Sequence, residues 1–240
     1  MHSPFVFDFI VRVLNNRYQY HPPAAIEKLR LQLNENNTLL EIEDLGAGSR
    51  VHASKTKSVR QIALTAVKPK KWSHFLFRLV QHYQPGIMIE LGTSLGISTA
   101  YMAAAHQAAQ VYTIEGSSAI QQMAQQHFAQ LGLTNVHSLQ GNFDNQLPPL
   151  LASLPHVDLA YIDGNHRYEP TIHYFEQLLT KKQNHTLFIF DDIHWSAEME
   201  KAWDEIKAHP AVTLSIDLFF MGLVFFRQEF KVKQHFSIRF

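Results

Sequence analysis

The sequence predicts an α/β fold in which a doubly wound, mainly parallel sheet is built from alternating strands and helices. Three observations support this prediction. A strand, a glycine turn and a helix follow one another over residues 87–105, strand and helix patterns alternate from there to about residue 208, and the strands end in polar or acidic residues. Two apolar runs, 212–219 and 223–227, predict a C-terminal hairpin that adds an antiparallel strand at the sheet edge.

The composition fits one large globular unit. Of the 240 residues, 46% are hydrophobic and 18% are charged, which provides enough apolar material for a sizeable core. The formal net charge is zero, which does not favour a general role in coating nucleic acid, and the lack of cysteine excludes disulfides and thiolate sites. The sequence has neither a membrane-length apolar run nor a signal-peptide cleavage pattern, which predicts a cytoplasmic protein.

Residues 1–84 are predicted to form a mainly helical extension or cap on a domain that spans residues 85–240. Ser3-Pro4 is a typical helix start, because the hydroxyl can cap the first turn and proline is tolerated there. Pro22-Pro23 interrupts the chain before a second helix. The apolar spacing of residues 72–84 predicts a further helix that leads into the first strand of the sheet.

The extension contains a second glycine loop, Asp44-Leu45-Gly46-Ala47-Gly48-Ser49, which looks as much like a ligand-binding turn as the later one does. Residues 50–71 follow with seven Lys or Arg and no acid. No strand ending in a carboxylate appears about 20 residues further on, where a bound ribose would require it. We therefore assign this loop to the extension, where it could border the substrate pocket. The basic residues favour a solvated helix face over a surface that attracts an acidic substrate.

The glycine turn after the strand 87–91 identifies the ligand-binding edge of the sheet. Glycine permits a sharp turn and a close approach of ligand, and the helix that follows directs its free N–H groups over the turn. Gly92 and Gly96 differ from the Gly-x-Gly-x-x-Gly pattern of a dinucleotide site, and no Gly-Lys-Ser/Thr follows them. A ligand that contains adenosine without phosphates therefore fits better.

The strands that follow also carry polar residues at their carboxyl ends. Glu115 ends the second strand about 20 residues after the glycine turn, the position from which a carboxylate accepts both ribose hydroxyls. Ligands of a parallel sheet lie beyond these strand ends. The residues that are expected to meet there are Glu90, Glu115, Asn142, Asp163 and the pair Asp191-Asp192.

The segment from Glu90 to Thr99, Glu-Leu-Gly-Thr-Ser-Leu-Gly-Ile-Ser-Thr, resembles the first motif of class I S-adenosylmethionine-dependent methyltransferases. It is most similar to the catechol and sugar O-methyltransferase branches, and the resemblance covers about residues 85–227. It implies a Rossmann-like fold, S-adenosyl-L-methionine as cofactor and methyl transfer to a hydroxyl of a small molecule. The residues expected to bind the cofactor are Glu90, Gly92, Thr93, Ser94, Gly96, Ser98, Glu115, Gly116, Ser117, Asn142, Phe143 and Asp163.

Three carboxylates at neighbouring strand ends predict a divalent metal site. Asp163, Asp191 and Asp192 would repel one another if they met unpaired, and a hard cation such as Mg²⁺ would relieve that repulsion. Such a cation could also activate an acceptor hydroxyl. The Asp…Asp-Asp pattern resembles the metal-dependent sugar O-methyltransferases. An alternative stays open, because in metal-free members of the superfamily the acid at the position of Asp163 meets the amino group of the cofactor.

The catalytic base is predicted in the loops that follow the fourth and fifth strands. In the catechol branch a lysine lies three residues after the first metal ligand, and here His166 occupies that position. In the sugar branch an aspartate lies two residues after it, and here that residue is Asn165, which cannot act as a base. Because imidazole titrates near neutral pH, His166 is the first candidate and His194 the second, with Asp163 in the same catalytic set.

Two other functions remain open from the sequence. One is an NAD(P)-dependent oxidoreductase, which would require a third glycine in the first turn. The other is a non-catalytic nucleotide-binding or interaction module, in which the acidic cluster and His166 would have no function. The expected partner is a small-molecule acceptor, with no nucleic acid and no membrane. The identity of the acceptor and the oligomeric state, including a homodimer, are left open.

Overall fold

The computed structural model describes residues 3–16, 20–43 and 54–240, and most of the strands in these ranges form one mixed sheet. A separate antiparallel hairpin lies in the N-terminal extension and consists of β1 (Leu39–Glu43) and β2 (Ser54–Ser58). The strands of the large sheet are β3 (Ile87–Leu91), β4 (Gln110–Glu115), β5 (Val136–Gln140), β6 (Val157–Ile162), β7 (Lys182–Asp191), β8 (Leu214–Asp217), β9 (Met221–Phe225) and β10 (Gln234–Ser237).

The order of the strands in this sheet is β10-β8-β9-β7-β6-β3-β4-β5. Strands β5, β4, β3, β6 and β7 run parallel, whereas β9 is antiparallel to both β7 and β8. This arrangement confirms the predicted doubly wound, mainly parallel sheet and its antiparallel C-terminal strand. That strand, β9, lies between β7 and β8 and not at the predicted edge, because β10 pairs with β8 and forms the edge. The chain proceeds outward from β3 in one direction through β4 and β5 and in the other through β6 and β7, which makes the carboxyl end of β3 the switch point where such sheets bind ligands.

The helices follow the order that the alternating pattern predicts. They are α1 (Pro4–Phe9), α2 (Ala24–Glu35), α3 (Val59–Ala66), α4 (Lys70–Tyr83), α5 (Ile97–Ala105), α6 (Ser118–Gln130), α7 (Phe143–Ser153), α8 (Tyr168–Leu179) and α9 (Ala197–Ala208). In the described part of the chain, no helix has the length and apolar character that a membrane span requires.

Two hydrophobic cores use alternate residues of the sheet strands. Met88 of β3 belongs to the core that contains the buried residues of α1 to α5, and its neighbour Ile89 belongs to the core that contains those of α7, α8 and α9. The alternation follows from strand geometry, in which successive side chains point to opposite faces. The two cores hold the central strands rigidly and therefore fix the positions of the residues at their carboxyl ends.

Helices α1, α2 and α3 of the N-terminal extension pack into the same core as α4 and α5. Ser3 begins α1 as predicted, since its Oγ accepts a hydrogen bond from the Val6 backbone nitrogen at 3.4 Å, and Phe9 is fully buried. After Phe9 the helix continues as a π-helical turn, Ile10–Leu14. The second glycine loop, over residues 44–49, lies outside the described residues. The division at residues 84–85 stays a prediction.

Candidate active site

The glycine turn between β3 and α5 packs directly against the loop that follows β6. Gly92 has a φ of +105°, and a Cβ added there would lie 2.2 Å from the carbonyl oxygen of Asp163. Gly96 has a φ of +81°, and its Cβ would lie 2.6 Å from the ring of Phe128. Both positions therefore require glycine for conformation and for space. The turn and the end of β6 are also joined by a hydrogen bond from the Asp163 nitrogen to the Leu91 oxygen at 2.9 Å.

Glu90 lies beneath the glycine turn and is fully buried. Its Oε1 accepts a hydrogen bond from Ser98 Oγ at 2.6 Å, and its Oε2 accepts one from Thr113 Oγ1 at 2.6 Å and another from the Thr99 hydroxyl. Burial raises the pKa of Glu90 to about 7, although the three hydroxyl donors oppose that rise. Glu90 thus ties β3 to β4 and α5 from below, and its predicted contact with a cofactor stays a prediction.

Glu115, at the end of β4, holds the glycine turn in place. Its carboxylate accepts backbone hydrogen bonds from Ser94 at 2.9 Å and from Ser117 at 3.0 Å. Burial raises the pKa of Glu115, and these N–H donors oppose the rise. The side-chain oxygens of Ser94 and Ser117 are buried without a hydrogen-bond partner in the described structure. Buried hydroxyls normally have partners, so these two mark where a polar ligand would bind.

The end of β5 contributes a helix cap and an aromatic ring. Asn142 is the N-cap of α7, and its Oδ1 accepts a hydrogen bond from the Asp144 backbone nitrogen at 2.9 Å. The side-chain nitrogen of Asn142, Nδ2, takes no part in this cap. Phe143 packs against Gly164, where an added Cβ would lie 2.8 Å from the ring. The predicted adenine contact of Asn142 is therefore compatible with the capping role, and it stays a prediction.

Three aspartates from β6 and β7 converge on the ammonium group of Lys68. The Nζ atom of Lys68 lies 3.4 Å from Asp163 Oδ1 and 3.8 Å from Asp192 Oδ2, and it contacts Asp191 Oδ2 directly. The Asp191 side chain is 1% exposed and that of Lys68 is 15% exposed. Burial raises the pKa of Asp163, against the lowering effect of the Lys68 ammonium. The structure thus brings together the three predicted metal ligands and adds a cation among them.

The arrangement of these carboxylates does not fit a bound divalent metal as it stands. In the described ranges, no group of three or more His, Cys, Asp or Glu side chains is arranged to hold a metal ion. The ammonium of Lys68 lies within 4 Å of all three aspartates, where a shared cation would have to bind. The metal role of Asp163, Asp191 and Asp192 therefore stays a prediction that the observed geometry does not support.

Lys68 is the site residue that the sequence analysis did not single out. It lies between α3 and α4, and its backbone oxygen accepts a hydrogen bond from Arg30 Nη1 of α2 at 2.6 Å. In the sequence it is one of seven basic residues in a stretch without acids, and that stretch was the only indication of its role. We expected these basic side chains to be solvated, but the side chain of Lys68 is only 15% exposed.

The two candidate histidines differ in their surroundings. His166 Nε2 lies 3.7 Å from Asp163 Oδ1 and 3.9 Å from Asp192 Oδ2, at the rim of the carboxylate cluster. His194 instead pairs through Nε2 with Asp217 at 2.9 Å and through Nδ1 with Glu200 at 3.3 Å.

Burial opposes charge on the His194 imidazole, but the two carboxylates outweigh it and raise its pKa. Because both nitrogens are engaged, His194 is poorly placed to accept a substrate proton. The geometry favours His166 as the base.

Aromatic side chains line the same edge of the sheet. Trp195, Phe219 and Phe220 are 76%, 64% and 52% exposed, and Phe220 is bound to the cluster because its backbone oxygen accepts a hydrogen bond from the Asp192 nitrogen at 2.7 Å.

Several non-glycine residues in these loops have left-handed backbone conformations, a strain that often marks functional sites. They are Ser94, Asn165, Asp192 and Phe219.

The comparisons with known proteins agree with this geometry. Residues 89–193 match the protein family described as a methyltransferase domain. No match was found among curated proteins.

Three solved structures share the fold. The first is the SAH-bound methyltransferase PaMTH1 of Podospora anserina, at 12% identity, with coverage of 95% of this chain and 98% of that chain and a TM-score of 0.66. The second is the O-methyltransferase of Bacillus cereus in complex with SAH, at 19% identity, with coverage of 90% and 97% and a TM-score of 0.64.

The third is the O-methyltransferase TomG of Streptomyces achromogenes in complex with SAM, at 17% identity, with coverage of 95% of this chain and 100% of that chain and a TM-score of 0.64. These likenesses confirm the predicted fold class, and the match of residues 89–193 to a methyltransferase domain supports the predicted methyltransferase assignment.

Proposed function

We propose, from the premise that residues 89–193 form a class I S-adenosylmethionine-dependent methyltransferase domain, that this protein transfers a methyl group to a hydroxyl oxygen of a small molecule. One observation carries the proposal. The glycine turn packs on the backbone of Asp163, and in the described structure the hydroxyls of Ser94 in this turn and of Ser117 after β4 have no partner. The proposed cofactor seat and the cluster of Lys68, His166 and the aspartates therefore share one edge of the sheet.

Three features support a binding site for the nucleoside part of the cofactor. Glu115 lies at the position from which a carboxylate binds ribose hydroxyls, and the Ser94 and Ser117 hydroxyls lie beside it without partners in the described structure. The N-terminus of α5 directs backbone N–H groups toward the same turn. When bound here, S-adenosylmethionine supplies an electrophilic methyl group on its sulfonium.

His166 is proposed to remove the proton of the acceptor hydroxyl. Its imidazole takes that proton while the new O–C bond replaces the C–S bond, and S-adenosylhomocysteine and the methyl ether are the products. Asp163 and Asp192 lie 3.7 and 3.9 Å from its Nε2, so their negative charges stabilise the imidazolium that forms. The rigid β6 and β7 termini hold these groups in line with the cofactor seat, which is the positioning that a displacement reaction requires.

The acceptor is proposed to enter between the carboxylate cluster and the exposed aromatic side chains. Trp195, Phe219 and Phe220 offer an apolar surface next to Asp192. Residues 1–84 are proposed to act as a cap on this side, because Lys68 reaches into the cluster from that segment. We also propose a cytoplasmic location and a homodimer, and sedimentation velocity would test the homodimer.

Calorimetric titration with S-adenosylhomocysteine tests the cofactor that this function requires, with NADH as the control nucleotide. We expect one site per chain with micromolar affinity for the nucleoside and no heat with NADH. A loss of this binding in Glu115→Ala, but not in Glu229→Ala, would place the site at the end of β4, because Glu229 pairs with Asn184 near the amino end of β7. Binding of NADH, or of neither compound, would overturn the proposal.

A further inference from the structure

We propose that Lys68 is the permanent counter-cation of the carboxylate cluster and that this site therefore works without a divalent metal. This inference rests on the proposed function, since it concerns how the same site is kept in order. Lys68 is a positioning residue in this account: it holds Asp163, Asp191 and Asp192, and through them His166, in the arrangement that faces the cofactor seat.

The charges of the cluster require a cation in the folded protein. Asp191 is 1% exposed, and a carboxylate that is removed from water is strongly destabilised unless it is paired. Asp163 and Asp192 bring two further carboxylates within 4 Å of the same point, and like charges at that distance repel. All three carboxylates lie within 4 Å of the one ammonium, so its positive charge acts on each of them.

Hydrogen bonds on the backbone of Lys68 fix its position next to the carboxylate cluster. Its carbonyl oxygen accepts hydrogen bonds from Arg30 Nη1 at 2.6 Å and from Ser73 Oγ at 3.3 Å, and Arg30 Nη2 also donates to Ser73 Oγ at 2.9 Å. Pro69 follows immediately and is the N-cap of α4. These bonds anchor the segment to α2 and α4, so the lysine is part of the packed structure and differs from a surface lysine that happens to reach an acid.

A divalent ion would compete with Lys68 for the same oxygens. Mg²⁺ or Mn²⁺ would need several of these carboxylate oxygens at about 2.1 Å, and binding would place two positive charges beside the ammonium unless the lysine moved away. The hydrogen bonds on its backbone and the burial of Asp191 oppose such a movement. Removal of the lysine side chain has the opposite effect, because it leaves three carboxylates that a hard cation can neutralise.

Titration with Mn²⁺ alone, followed by the electron paramagnetic resonance signal of the free ion, tests the inference. We expect weak, non-stoichiometric binding to the wild type. In Lys68→Ala we expect one Mn²⁺ per chain, bound at least about tenfold more tightly than by the wild type, because three unpaired carboxylates converge. Lys68→Arg, which keeps a cation, and Lys71→Ala, an exposed neighbour, should behave as the wild type. The double variant Lys68→Ala with Asp191→Asn should lose the new site.

Two outcomes would overturn the inference. One is stoichiometric, Asp191-dependent binding of Mn²⁺ by the wild type, and the other is the absence of any gain in Lys68→Ala when that variant is folded and binds S-adenosylhomocysteine. If Lys68→Ala does not fold, Lys68→Met provides the same loss of charge with more of the side chain retained, and the wild-type titration still decides the matter. Failure of the proposed function would appear separately, as a lack of S-adenosylhomocysteine binding by the wild type.

Discussion

Gly92 and Asp163 are in contact through their backbones: a Cβ at Gly92 would lie 2.2 Å from the Asp163 carbonyl oxygen. The contact joins the glycine turn after β3 to the start of the carboxylate cluster after β6. Since the clashing atom belongs to a backbone, no side-chain movement can relieve it, and the φ of +105° adds strain for any other residue. The relative position of the two halves of the site therefore depends on this glycine.

Gly92→Ala is the first prediction from that contact. We expect the variant to lose S-adenosylhomocysteine affinity by at least about tenfold and to lose about 1–3 kcal/mol of unfolding free energy, because the turn must move away from β6. Gly132→Ala is the matched control: its φ is +66°, but a Cβ there meets nothing within 4 Å. Urea unfolding and calorimetry measure the two effects. Equal losses in the two variants would show that backbone conformation, and not the contact, is responsible.

Glu115 provides a second prediction about the cofactor. In Glu115→Gln the backbone nitrogens of Ser94 and Ser117 can keep only one acceptor oxygen instead of two. We expect S-adenosylhomocysteine affinity to fall by about ten- to a hundredfold, since a hydrogen bond to a charged group contributes about 1.5–3 kcal/mol. Isothermal calorimetry measures the change, and circular dichroism checks the fold. Undiminished affinity would remove Glu115 from the cofactor seat.

The strand ends could be predicted from the sequence because their pattern is local. Glu115, Asp163 and Asp191 each follow an apolar run, and parallel strands bring such positions to one edge without any knowledge of packing. Lys68 could not be predicted, since its contact with β6 and β7 depends on how the extension folds onto the sheet. A contact between segments so distant in sequence leaves no periodic pattern.

Two strands include residues outside the apolar runs of the sequence. Strand β10 forms the edge of the sheet, although its four residues alternate only between exposed and half-buried positions and lack the apolar run of a central strand. Strand β7 begins at Lys182, earlier than the apolar run at Thr186, since polar residues are tolerated where the strand is still exposed. In each case pairing with the neighbouring strand forms a β-strand where the hydrophobic pattern of the sequence predicts one only weakly.

Glu90 makes stability depend on pH in a predictable direction. Its pKa in the folded protein is about 7, above the ordinary 4.5, so between these values the folded state holds a proton that the unfolded state releases. Stability from this group is therefore present below about pH 4.5 and is lost as the pH rises through 7.

We expect the unfolding free energy of the wild type, measured relative to Glu90→Gln in urea, to fall between pH 5 and 7.5. The glutamine variant provides the comparison because it keeps the shape of the buried side chain without its titration. A constant difference between the two proteins across this range would show that Glu90 keeps the same protonation in both states.

Phe220 tests the proposed acceptor entrance. Its ring is half exposed beside Trp72, with ring centroids 5.8 Å apart, and its backbone oxygen accepts the bond from Asp192. Phe220→Ala removes the ring and keeps that backbone bond. We expect KM for an acceptor found by screening small hydroxyl compounds to rise by about tenfold, with little change in S-adenosylhomocysteine affinity. Val232→Ala, an exposed apolar change near the C-terminal strand, is the control. An unchanged KM would place the acceptor elsewhere.

His166 and His194 give the prediction that separates the two candidate bases. His166 faces the carboxylate cluster at 3.7 Å from Asp163, whereas both nitrogens of His194 are bound to Asp217 and Glu200. With the screened acceptor, we expect His166→Ala to lower kcat by about 10²–10⁴-fold, the usual contribution of a positioned base.

His194→Ala should act mainly on stability, because it leaves Asp217 with only the Trp203 indole N–H, at 3.2 Å, on its Oδ2. The comparison of kcat decides the assignment: a large loss of kcat in His194→Ala, with kcat retained in His166→Ala, would make His194 the base.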